Sequence, residues 1–356
     1  MKLIYKLIFL VLLFSTSTIL SQGCDVDDPS SSSDTTGTKK IKLFGYLQPQ
    51  FDYNFTDGDQ NNTFKFRRAR IGVRGDIYED FSYYFMLEAS PFIGNQSDVY
   101  LMDVFITYHA DNWARISLGS YKQPFSLDLA TPCFALTTIE RAIVVDQLVT
   151  PQRDFGIGIF GGNKYNRLNY AVAIMNGSGI GGFKPLDNNT KKDIVGRATY
   201  RLTDFLTVGG SFRYGFPLLN DNESDRTTYG FEFLAELNKL KIQGEYIHDT
   251  GAYLTAAGGG CGGLDPVSLD GLTSDGAYIM AAYSVNEKFQ PVFKWEYFDQ
   301  NVDVSDIPGI YQERMTFGFN YFFNKMYRLQ INYFANIETV TNVDNDQIAA
   351  QIQVKF

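Results

Sequence analysis

The feature that most restricts what this chain can fold into is an alternation of apolar and polar residues with period two, repeated from Ile41 to the C-terminus. At the chain end Ile348, Ala350, Ile352, Val354 and Phe356 fall on one face, and Gln347, Ala349, Gln351, Gln353 and Lys355 on the other. Tyr327, Leu329, Ile331 and Tyr333 oppose Arg328, Gln330 and Asn332, while Phe293, Trp295 and Tyr297 oppose Lys294 and Glu296. Successive side chains of a strand point to opposite faces, whereas a helix repeats every 3.6 residues or about that, so these segments are strands with one apolar side. We count sixteen, near 41–53, 64–75, 81–90, 99–109, 113–121, 154–162, 167–176, 193–202, 205–215, 226–237, 240–249, 276–285, 289–299, 313–323, 326–336 and 346–356. Most have the length that a tilted strand needs to cross a bilayer.

The connections alternate in length. Tight turns are expected at Ala110-Asp111-Asn112, Thr203-Asp204, Asn238-Lys239 and Asn324-Lys325, and long loops at 122–153, 177–192, 216–225, 250–275, 300–312 and 337–345. Aromatic pairs flank the short turns: Tyr108 and Trp113, Tyr200 and Phe205, Tyr283 and Phe289, Phe323 and Tyr327. Short turns on one side, long loops on the other and an aromatic girdle at the lipid–water boundary are the pattern of an outer-membrane barrel. The expected fold class is all-β, a transmembrane antiparallel β-barrel of sixteen strands with short periplasmic turns and long extracellular loops. A large soluble β-sandwich or β-helix could also bury such faces, but has no reason to alternate its loop lengths or to end on Phe356.

Composition narrows the function. The net charge of -9 argues against nucleic acid as a partner, since a phosphate backbone needs a basic stripe. Two histidines, His109 and His248, and three scattered cysteines, Cys24, Cys133 and Cys261, offer little for a metal site, so no metal and no cofactor is expected. Cys133 and Cys261 either pair with each other or stand as separate thiols. Neither histidine lies near an obvious nucleophile and no G-x-S-x-G motif occurs, so an enzyme is not expected.

The chain begins with a targeting segment. Lys2 and Lys6 precede a largely apolar run from Leu7 to Leu20, and residues 1–23 are expected to be a signal peptide. Two alternatives stand at Ser21-Gln22-Gly23-Cys24: ordinary cleavage, or lipidation of Cys24. Acidic residues after Cys24 suit a lipoprotein, while Leu20 stands one place too far upstream. Residues 24–40 are expected to form a polar tether and 41–356 the barrel. The destination implied is the cell outer membrane, with the lipid bilayer and surface lipids around the barrel. Phe356 is the expected assembly signal for the barrel-assembly machinery.

If the aromatic faces meet lipid, the opposite faces line a lumen where water makes charge tolerable. Arg68, Arg70 and Arg74 share one polar face, with Arg67 breaking the alternation, so a bulge is expected near 66–68. Arg115, Arg197, Arg201, Arg213 and Arg328 are inward by parity, and so are Glu88, Asp103, Glu232, Glu236, Glu245 and Glu296. Two readings are open: a solvated wall crossed by salt bridges, or an anion-guiding arginine row. Loop 122–153 carries Phe125, Leu127, Leu129, Phe134, Leu136, Ile139, Ile143, Val144, Val145 and Leu148. A loop that apolar would not hang in water, and it is expected to fold into the barrel and narrow it.

These residues resemble the phosphate-selective porin O and P family of Gram-negative outer membranes. The resemblance is carried by Phe66 to Gly75, by Arg115-Ile116-Ser117-Leu118-Gly119 leading into Lys122-Gln123-Pro124-Phe125-Ser126-Leu127, by Glu140-Arg141 and by Arg153-Asp154-Phe155-Gly156. It implies a sixteen-stranded homotrimer whose third long loop folds into the lumen, and cations that guide anions. The site residues expected are Arg68, Arg70, Arg74, Arg115, Lys122, Arg141 and Arg153. The function implied is passive diffusion of small hydrophilic solutes with an anion or phosphate preference. The alternative is a structural or assembly barrel in a larger outer-membrane complex, without transport. The chain departs from the family in its acidic loops, at Asp57-Gly58-Asp59, Asp221 to Asp225, Asp303 with Asp306, and Glu338 to Asp346. An acidic mouth repels anions over about one Debye length, roughly 8 Å.

Overall fold

The computed structural model describes residues 41–356, apart from 57–60, 79, 94–99, 181–186, 188, 219–220, 256–266, 306 and 338–343. The targeting segment, the tether, Cys24 and Cys261 lie outside the described residues. Sixteen strands follow one another: β1 (Lys42–Asn54), β2 (Asn61–Tyr78), β3 (Phe81–Glu88), β4 (Tyr100–Asp111), β5 (Ala114–Lys122), β6 (Arg153–Gly161), β7 (Leu168–Met175) and β8 (Asp193–Arg201). The second half comprises β9 (Leu206–Gly215), β10 (Arg226–Leu237), β11 (Leu240–Thr255), β12 (Val267–Tyr283), β13 (Phe289–Asp299), β14 (Tyr311–Phe322), β15 (Tyr327–Ile337) and β16 (Gln347–Lys355). Each pairs antiparallel with its sequence neighbours, and β1 pairs with β16 to close the barrel.

The apolar alternation faces outward. Phe231 is 63% exposed and Ile352 50%, in the company of Leu118, Ile157, Val172, Phe212 and Phe317. Such a surface suits lipid and not water. The aromatic pairs at the short turns, Tyr108 and Trp113 through Phe323 and Tyr327, are likewise exposed and form the girdle. The polar alternation faces inward, where Gln48, Gln50 and Asp52 of β1 and Gln351 and Gln353 of β16 are buried.

The bulge expected near Arg67 is present, since Gln48 pairs with Arg68 and Pro49 with Phe66, leaving Arg67 out of the ladder. One boundary needs correction. The loop expected at 250–275 is largely strand, because β11 and β12 stay paired out to Thr255 and Val267. Gly251, with φ near 99°, and Gly271, with φ near 69°, accommodate a register shift that hides the alternation there.

The seam shows what the terminal residue does. The backbone N–H of Gly45 donates to the carbonyl of Phe356 and the N–H of Phe356 donates to the carbonyl of Gly45, both at 3.0 Å. A Cβ on Gly45 would stand 2.6 Å from the Phe356 ring, so the ring lies over the bare glycine backbone. Deleting Phe356 removes both hydrogen bonds and this cover, and should lower the yield of folded barrel severalfold in refolding into detergent. A native yield would refute that role.

Candidate functional site

The lumen is crossed by the segment between β5 and β6, here called L3. It contains a one-turn helix at Leu127–Ala130, a 3-10 turn at Cys133–Ala135 and a longer helix at Ile143–Leu148. Leu129, Val144, Val145, Leu148 and Val149 are fully buried against Val195, Ile247, Tyr278, Met280 and Phe298 of the wall. A buried loop leaves backbone groups that must find partners. Here the wall supplies them with charged side chains. The Glu245 carboxylate accepts from the N–H groups of Leu127 and Asp128 at 2.9 and 2.7 Å, and Glu296 accepts from Ile143 N–H at 2.7 Å. Arg213 and Arg226 both donate to the carbonyls of Leu148 and Thr150, over 2.7–3.0 Å. Arg328 donates to Leu136 and Phe134, and Lys294 to Glu140 and Arg141. Parity puts Glu245, Glu296, Arg213 and Arg328 inward, but nothing in the sequence makes a loop backbone their partner.

The predicted site residues divide into two groups. Arg68 is 1% exposed and donates to Gln48, while Arg70 is 2% exposed and pairs with Glu88 at 2.6 Å. Arg141 is buried and donates to the carbonyl of Thr131, and Arg153 is buried in a forked pair with Asp103 at 2.9 and 3.2 Å. The sequence reading makes these four pore-lining; the structure buries them in the wall and L3, where each guanidinium finds a counter-charge, an amide oxygen or carbonyls. Arg74, Arg115 and Lys122 are only half-buried. Arg74 lies 5.4 Å over the Phe44 ring, and Lys122 donates to the carbonyls of Leu129 and Thr131. The Cys133 thiol is buried against Arg70 and Arg141, at 3.3 and 3.5 Å. Transverse salt bridges are real features of this wall: Arg197 with Glu232 and Arg226 with Asp249 join those above.

Along β1 and β3–β6 the wall carries a run of rings: Phe44–Tyr84, Tyr84–Phe105, Phe105–Tyr121 and Tyr121–Phe160, with centroids 5.0–5.8 Å apart and Phe105 and Tyr121 buried. Also unforeseen is a 2.7 Å contact between Ser82 Oγ and His109 Nε2 on β3 and β4.

Two L3 carboxyls titrate in opposite senses. Burial works against ionisation of Glu140, but the Arg67 guanidinium, bonded through two 2.7 Å contacts, holds it down at about 2. Burial, and then the Glu140 carboxylate, push Asp146 from 3.8 up to about 6. A raised carboxyl opposes the docked state once ionised, so its stabilisation is complete below 3.8 and lost as pH rises through about 6. Amide hydrogen exchange in 127–148, corrected for intrinsic rates, should be slower at pH 4 than at pH 7. Asp146→Asn should remove the difference; if the variant keeps it, another group is responsible.

Residues 41–215 match the family model described as phosphate-selective porin O and P. No curated protein matches the sequence. Among solved structures, an anion-selective porin of Comamonas acidovorans superposes with a TM-score of 0.65 at 14% identity, covering 90% of this chain and 100% of that one. OmpF of Salmonella typhi, in complex with daunomycin, gives 0.65 at 15% identity, with coverages of 89% and 98%. OmpT of Vibrio cholerae in its trimer form gives 0.59 at 12%, with coverages of 90% and 100%. At such identities the likeness speaks for the fold.

Proposed function

We propose, from the premise that residues 41–215 belong to the phosphate-selective porin O and P family and that the chain is therefore an outer-membrane porin, that it passes small hydrophilic anions between L3 and the β3–β8 wall. The observation carrying the anion preference is the placement of Arg74, Arg115 and Lys122, the predicted cations left half-buried. In a narrow low-dielectric channel a few fixed cations outweigh the overall charge of -9. The acidic loops oppose them at the mouth, where salt screens more strongly.

The family and the barrel favour a channel over an enzyme, and the Ser82–His109 contact carries no catalytic reading here. The trimer form of the Vibrio cholerae protein supports a homotrimer for this chain. The mature protein would begin after residue 23 with a polar tether, lipidated if Cys24 is the processing site. A scaffold barrel without transport is the rival reading, drawing on how completely L3 fills the lumen beside β9–β13.

Planar bilayers decide. Under a KCl gradient the reversal potential should show a modest anion preference that persists as salt rises, and the double variant Arg74→Ala/Arg115→Ala should lose most of it. Cation preference in the native channel would overturn the anion reading, and a silent bilayer would favour the scaffold.

A further inference from the structure

The outward face of the barrel is mostly apolar, but carboxylates interrupt it on three neighbouring strands: Asp275 of β12, Asp299 of β13 and Glu313 of β14. All three are half-buried, and they share their strand faces with exposed Ile279, Phe293 and Phe317. Asp275 and Asp299 stand directly opposite each other in the β12–β13 register. Like charges so placed are destabilising, and a cation between them would relieve this. The cations nearest in sequence are engaged on the other side of the wall, Lys294 and Arg314 lying 3.1 and 3.9 Å from Glu296. His248, opposite Asp275 on β11, rests on the Tyr229 ring with centroids 5.0 Å apart. Neutral donors meet the three carboxylates. The Tyr246 hydroxyl donates to Asp275 at 3.1 Å, the Asn301 N–H to Asp299 at 3.0 Å and the Trp295 indole to Glu313 at 2.7 Å.

Rings complete the patch. Ala277, on the same face as Asp275, stands between Tyr246 and Tyr297 in the register, so a small side chain leaves a gap walled by two rings. Neighbouring strands are about 4.8 Å apart, which sets those rings roughly 10 Å from each other. Tyr297 also stacks on Tyr311 and borders Trp295, with centroids 6.0 and 5.7 Å away. Tyr283 and Phe289 of the periplasmic girdle lie at the other ends of β12 and β13. At roughly 3.3 Å per residue and a tilt of about 40°, Asp275 and Asp299 stand about 20–25 Å above that girdle. This is the far boundary of the apolar band, at the depth of the outer-leaflet headgroups.

We infer that this face of β11–β14 is a docking surface for lipids whose headgroup carries an ammonium group. The ammonium enters the gap over Ala277, against the faces of Tyr246 and Tyr297, and offsets the charge of Asp275 and Asp299. The acyl chains then lie along Ile279, Phe293 and Met315. A ring face attracts a cation held within about 6 Å of its centroid. A hard divalent ion bridging to a lipid phosphate wants about six oxygen ligands, which a gap walled by ring faces does not offer.

Trp295 borders the patch and the chain's other tryptophan, Trp113, lies in the periplasmic girdle, so Trp113→Phe leaves a single reporter at the site. This full-length variant, refolded in dodecyl maltoside, is titrated with a phosphatidylcholine whose quaternary ammonium carries a nitroxide quencher. Saturable quenching is expected, reversed by unlabelled phosphatidylethanolamine and not by phosphatidylglycerol at the same mole fraction. Adding Asp275→Asn/Asp299→Asn should raise the half-quenching mole fraction about tenfold, and adding Tyr297→Leu about fivefold. Loss of charge on a lipid-facing position does not impair the barrel, and heat-resistant migration on gels checks that each variant has folded. Quenching unchanged in the double asparagine variant overturns the inference, as does equal reversal by phosphatidylglycerol. Quenching lost in EDTA would reveal a bridging divalent ion and overturns it too. A folded barrel with no quenching, as when a second copy covers the face, has the same consequence.

Discussion

Replacing residues 127–148 by a short glycine-serine linker should raise single-channel conductance by roughly a factor of three or more, because a sixteen-stranded barrel without an inner plug leaves an aqueous channel. The segment removed holds the two helices of L3 and the apolar cluster that fills the lumen beside β9–β13. Its loss strips Arg328 and Lys294 of the L3 carbonyls they bond, and takes the Leu148 carbonyl from Arg213 and Arg226 while leaving them that of Thr150. Water entering the widened lumen would take the place of those carbonyls, so the barrel itself should survive. Selectivity should weaken at the same time, since Lys122 loses the carbonyls of Leu129 and Thr131 that fix its direction. Unchanged conductance would place the constriction somewhere other than L3.

Asp249→Ala should be the most damaging single substitution in the wall, costing about 3–5 kcal/mol as expected when one partner of a buried ionic group is removed. The Asp249 carboxylate pairs with Arg226 at 2.8 Å, lies 3.9 Å from Arg213 and accepts a hydrogen bond from Thr228. All three charged side chains are 1% exposed or less. Without Asp249, the two guanidiniums lose the carboxylate they share in a buried site and keep neutral acceptors: the Leu148 and Thr150 carbonyls, and on Arg213 the Thr228 hydroxyl and the Gln123 amide oxygen. Asp249→Asn keeps a hydrogen-bond acceptor but not the charge, and should lose less. Urea midpoints of the detergent-refolded proteins measure this, and an alanine variant as stable as the native barrel would show that the neutral acceptors suffice.

The fold was legible because a barrel strand writes its environment into alternate residues, and β16 or β15 shows both faces without help from any partner. The bulge at Arg67 was legible for the same reason, as a break in that alternation. The extension of β11 and β12 was not, because its register shift between Gly251 and Tyr253 scrambles the parity. The apolar content of L3 announced that it would go inside. Where it would dock was hidden, because its partners are far along the chain: Ile143 meets Glu296 across 153 positions and Ile139 meets Asn332 across 193. For the same reason the burial of Arg68 and Arg70 could not be read from their own strand. Parity gives the side of a wall and is silent about what presses against it.

L3 also bears on how the ends of the chain find each other. Gln48 and Gln353, joined across the seam at 2.7 Å, are 305 positions apart, and the entropy of closing a loop rises by about 0.6 kcal/mol for each doubling of its length. L3 stands between them as an internal splint. Gln48 donates to the carbonyl of Cys133, 85 positions away, and Gln353 donates to that of Phe134, 219 positions away. Arg328 ties the same stretch to β15 and to Gln353. One long closure is thereby divided into two shorter ones that share an anchor. The turn Cys133–Leu136 is a mortise for the first and last strands as well as an obstruction in the lumen, so neither property can be retuned without disturbing the other.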